Sequence, residues 1–71
     1  MPESTYKKLE LVGSSSESIE AAIKNAYTKA SGTIHNIRWF EVVEVRGNFE
    51  GGEPTFQVVM KVGFRLDEPQ G

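Results

Sequence analysis

With 71 residues, no cysteine and a single histidine, His35, the chain is too short to carry a large core and lacks the residues for a disulfide, a thiolate metal site or a multi-histidine metal site within one subunit. A formal net charge of −2 argues against a duplex nucleic-acid binder, and no basic leader or bilayer-length apolar run is present, so the expectation is a soluble cytoplasmic protein that contacts neither nucleic acid nor membrane. Residues 1–71 are read as one domain, with an ordered core over 5–66 and a flexible tail over 67–71, and self-association is the remaining common way to stabilise so small a core.

Residues 5–13 read as a first strand, with Leu9 and Leu11 on one face and Tyr6, Lys8 and Glu10 on the other. Ser14 to Glu17 offers helix starts, and Ser14 with Glu17 has capping-box spacing. Ile19, Ala22, Ile23, Ala26, Ala30 and Ile34 then recur at helical steps and form one apolar stripe, whose alanines allow close approach to a sheet. Glu20 and Lys24 stand four apart on the outer side. Gly32 weakens the last turn, so fraying or a cap is expected between Gly32 and Asn36. His35 has no acid or cysteine beside it and reads as a helix-end residue.

Two long runs rich in β-branched and aromatic residues, Arg38 to Gly47 and Thr55 to Leu66, are joined through Gly51-Gly52 and read as an antiparallel hairpin. In the second run Phe56, Val58, Met60, Val62, Phe64 and Leu66 share one face and are assigned to the core under the helix. In the first, Phe40 and Val42 share one parity while Val43 and Val45 share the other; a bulge near Val42-Val43 brings all four to the core side. The outward pairs across the hairpin are then Arg46 with Gln57, Glu44 with Val59, Glu41 with Lys61 and Trp39 with Gly63. Glu41 and Lys61 read as an ion pair.

The fold class is therefore α+β with the order β-α-β-β. A helical crossover makes the first strand parallel to the second, beside it or with the third strand between them. Placing the most apolar strand in the centre gives a three-stranded mixed or antiparallel sheet in the order 1-3-2, packed on one helix. One helix is little cover for strands of this length, which again points to burial by further copies.

Taken together, Val12-Gly13-Ser14-Ser15, Glu20-Ala21-Ala22-Ile23, Trp39-Phe40-Glu41-Val42, Arg46-Gly47, Phe56-Gln57-Val58 and Lys61-Val62-Gly63-Phe64-Arg65-Leu66 resemble the dodecin family over about residues 5–66. The resemblance implies a hollow homododecamer that binds flavins in pairs, FMN or riboflavin, and stores or sequesters them against photochemistry without turnover. Bacterial members also hold coenzyme A. By position, Trp39 resembles the residue that stacks on the isoalloxazine ring, Gln57 the amide at its pyrimidine edge, and Arg46 and Arg65 the contacts to FMN. Arg38 also falls in the flavin site, where bacterial relatives carry an acid. Tyr6, Lys29 and Thr33 best correspond to the coenzyme A contacts.

The implied roles suit the side chains. Indole is a large electron-rich π face for an electron-poor ring. A glutamine amide supplies a carbonyl and two donors to the alternating pyrimidine edge, and a guanidinium suits a phosphate. Three other classes remain open. A single-strand RNA binder needs more exposed aromatics than Trp39, which reads as alone on its face, and a more basic surround. An enzyme needs a nucleophile with a base or a carboxylate dyad, and neither is visible, so no activity is expected. A structural assembly protein, with Trp39 plugging an interface, is the third.

Overall fold

A computed structural model describes residues 3–66. The tail expected over 67–71 lies outside the described residues. The elements follow in the order β1 (Tyr6–Ser15), α1 (Ile19–Ala30), β2 (Ile37–Glu50) and β3 (Glu53–Arg65). They form one three-stranded sheet in the order β1-β3-β2, with both ladders antiparallel, so β1 and β2 run in the same direction on either side of β3. No described helix is long and apolar enough to cross a membrane.

The first strand runs two residues past its expected end, to Ser15, where Gly13 pairs with Val58 and Ser14 with Gln57. The capping box expected at Ser14 and Glu17 is therefore not formed. Ser18 takes the N-cap instead, its hydroxyl accepting from the Ala21 N–H at 2.9 Å. The helix closes at Ala30, and Ser31 caps it by donating its N–H to Tyr27 O at 2.8 Å. Ile34 thus lies beyond the helix, and Asn36, not Gly32, takes the left-handed turn, with φ 65°. The hairpin turns on Gly51 and Gly52, with φ of 59° and 84°, the sign a tight β2–β3 reversal requires.

Ala22, Ala26 and Ala30 are buried, and Ala22 and Ala26 pack with Val58, Met60 and Val62 in the core. Contact is close because Gly13 has no side chain: a Cβ there would overlap the Ala22 carbonyl and come within 2.9 Å of Ala26 Cβ. Full burial of each of these β3 side chains contributes about 1.5–3 kcal/mol. The core is shorter than expected. Phe56 and Phe64 are half-buried and Leu66 is exposed.

The helix packs against β1 and β3 and stops short of β2. Phe40, Val42 and Val45 pair with Val62, Met60 and Val58, and a register shift between Val42 and Glu44 places the expected bulge at Val43. All four β2 side chains remain exposed in the single chain. The unsupported hairpin gives a subunit 57 Å long but only 20 by 14 Å across. A groove between α1 and β2, lined by Ile23, Tyr27, Ile37, Phe40, Met60 and Val62, marks the seam where cover ends.

Candidate functional site

The face of the sheet opposite α1 carries two groups of candidate residues. Near the end of β3, Gly63 pairs with Trp39 on one side and Lys8 on the other. Because Gly63 has no side chain, the indole lies over it: a Cβ at Gly63 would overlap the six-membered ring of Trp39. The tryptophan is half-buried, with its six-membered ring seated against Gly63.

Trp39 is not alone on this face, contrary to expectation. Tyr6 packs beside it, with ring centroids 5.5 Å apart and planes tilted by 58°. The Trp39 Nε1–H donates to Glu41 Oε2 at 3.2 Å. Glu41 stands opposite Lys61 in the ladder as expected, but its direct ion pair is with Lys8, whose Nζ lies 3.2 Å from Glu41 Oε1. The ion pair therefore crosses the central strand from one edge strand to the other. Hydrogen bonds from Lys8 and then Trp39 hold the Glu41 carboxyl below the ordinary carboxylate range, with the charges of Lys8 and Lys61 adding to them.

Arg65 sits in the next outward row, paired with Tyr6. Its Nε is buried without a hydrogen-bond partner among the described residues. Arg38 falls at a second register shift, between Ile37 and Trp39, and is exposed. Sequence patterning did not anticipate this break. The signal for the Lys8–Glu41–Trp39 cluster was present, since Lys8 shares a parity with Tyr6 and Glu41 with Trp39, but joining them required the strand order.

The second group lies at the far end of the same face, where Ser14, Gln57 and Arg46 form one row across the three strands. Gln57 lines a polar hollow with Ser14, Ser15, Ser16, Asn48 and Thr55. Along β3 this row is roughly 20 Å from Gly63 at about 3.4 Å per residue. Trp39 and Arg65 therefore share one end of this face, Arg38 lies at the register shift and lines the groove between α1 and β2, and Gln57 and Arg46 lie at the far end.

The third set is split. Lys29 and Thr33 share a groove with Leu11, Val12, Ala26 and Ile34 beside the end of α1, whereas Tyr6 stands across the sheet against Trp39. No group of three or more histidine, aspartate and glutamate side chains that could hold a metal ion occurs among the described residues.

A sequence model described as Dodecin matches residues 5–67. A dodecin from Thermus thermophilus is 53% identical over 64 residues, covering 89% of this chain and 93% of that one. The structure of a dodecin from Streptomyces davaonensis superposes with a TM-score of 0.91 at 51% identity, covering 94% of this chain and 100% of that one. A calcium dodecin from Mycobacterium tuberculosis, described with a calcium-binding site, superposes with a TM-score of 0.80 at 26% identity, covering 94% and 97% of the two chains.

Proposed function

The chain belongs to the dodecin family, and from that premise we propose that it is a flavin-binding storage protein, without catalytic turnover, that acts in the cytoplasm as a homododecamer. The observation that carries this reading is the pose of Trp39, half-buried over Gly63 on the sheet face opposite α1. A residue serving only as a core anchor would lie under the helix. The chain's own residues fit a flavin: an electron-rich platform, a nearby arginine with an unpartnered buried Nε, and an amide on the same sheet face.

The ligand is FMN or riboflavin, which supplies a flat electron-poor ring and, in FMN, a phosphate. Trp39 stacks on the ring, Arg65 at the same end of the face meets an anionic tail with Arg38, the sequence neighbour of Trp39, as a further cation, and Gln57 and Arg46 supply the edge contact and a third cation. The roughly 20 Å between Trp39 and Gln57 is about twice the length of the fused ring. Two subunits must therefore share each site, which ties binding to assembly. Coenzyme A is assigned to the groove of Lys29 and Thr33, where a cation and a hydroxyl stand together; Tyr6 joins such a site only from another copy.

Titration of the purified oligomer with FMN, followed by loss of flavin fluorescence, tests the reading. Trp39→Ala should keep the oligomer and weaken binding about 5- to 150-fold, the equivalent of about 1–3 kcal/mol for a lost aromatic stacking partner. Unchanged affinity in that variant would contradict it.

A further inference from the structure

Trp39 is held not only from beneath but also at its polar atom. Its Nε1–H donates to Glu41, a carboxylate two residues along the same strand face, at 3.2 Å. That carboxylate is gripped in turn from the far edge strand: Lys8 Nζ lies 3.2 Å from each of its oxygens. Tyr6 packs against the indole with ring centroids 5.5 Å apart. A ring that merely lay over Gly63 could still exchange between side-chain rotamers. Tying its N–H to an anchored carboxylate removes that freedom.

We propose that Glu41, anchored by Lys8, is the positioning residue of Trp39, fixing the orientation of the indole in the ligand-free protein so that the stacking face exists before a ring arrives. The consequence for flavin affinity rests on the flavin reading above; the orientation itself does not. Exposed ion pairs contribute little to stability, so support of the fold is a poor account of a pair whose geometric effect falls on one aromatic ring. Ordering that ring in advance lowers the cost of ordering it on binding. A carboxylate accepting from the indole N–H also polarises the ring toward greater electron density, which suits an electron-poor partner.

Trp39 is the single tryptophan of the chain, so the fluorescence of the ligand-free oligomer reports this ring alone. Time-resolved anisotropy should show a nearly immobile indole in the wild type and in Glu41→Gln, whose amide oxygen can still accept the N–H bond. Glu41→Ala should show a clear gain of fast local motion. Its affinity for FMN should fall about two- to ten-fold, the range for one side chain that must be ordered on binding. Wild-type anisotropy in Glu41→Ala overturns the proposal whatever the flavin does. A wild type that binds no flavin overturns the functional reading instead, and the anisotropy contrast still decides the role of Glu41. Should Glu41→Ala fail to assemble, the single indole N–H resonance decides: it must move upfield in Lys8→Met if the anchor acts through Glu41, and a resonance that stays in place refutes it.

Discussion

Met60 and Val42 face each other across the β2–β3 ladder and point to the same side of the sheet, yet Met60 is 1% exposed and Val42 47%. Val62 and Phe40, the neighbouring pair, repeat the contrast at 1% and 52%. The two strands do not differ in apolar character. They differ in cover, because α1 lies over β1 and β3 and stops before β2. Patterning reports which side a residue faces, not whether the same chain covers that side. The β3 half of the apolar face builds the subunit, and the β2 half is left uncovered by the same chain. A 14-residue edge strand with such a face is a liability unless association covers it.

Breaking each half in turn separates the two. Val42→Asp places a charge on the apolar face that the proposed assembly buries, and its effect should be the largest: sedimentation should show small species in place of the proposed oligomer. Met60→Ala, across the ladder, leaves a cavity under α1 and should lower subunit stability by about 2–5 kcal/mol. The intact oligomer should persist below its reduced unfolding temperature. Equal effects of the two on assembly would erase the distinction.

A finer contrast lies on the opposite face of the sheet. Gly63→Ala adds one methyl where the indole lies, so the ring must lift from the sheet. Affinity for FMN should fall about 5- to 150-fold, about 1–3 kcal/mol, with sedimentation unchanged. Wild-type affinity in this variant, measured by the same fluorescence titration, would show that the seat of the ring on Gly63 does not matter.

The strand order 1-3-2 and the outward pairs from Arg46–Gln57 to Trp39–Gly63 were legible in the sequence, because alternation and a glycine turn together set register. The bulge at Val43 was legible for the same reason: four apolar residues of mixed parity need an extra residue to share a face. The N-cap was not, since four serines precede the helix and only the extension of β1 through Ser15 decides that Ser18 is used. The partnership of Lys8 with Glu41 was also hidden. Pairing rules join adjacent strands, and this contact crosses the central strand. Of the candidate site, the sequence indicated the outward Trp39 and its glycine. The clustering of Tyr6 and Arg65 beside it needed the third strand in place.

If neighbouring copies cover the exposed half of β2, as proposed above, each ligand site is shared between subunits. Oligomers assembled from a mixture of Trp39→Ala and Gln57→Ala subunits, titrated with FMN, test it most directly. Sharing predicts that some sites in the mixture hold one native tryptophan and one native glutamine, and so regain a tight-binding fraction that neither pure variant shows. A mixture that binds no better than the two pure variants would contradict the shared site and the account of β2 that leads to it.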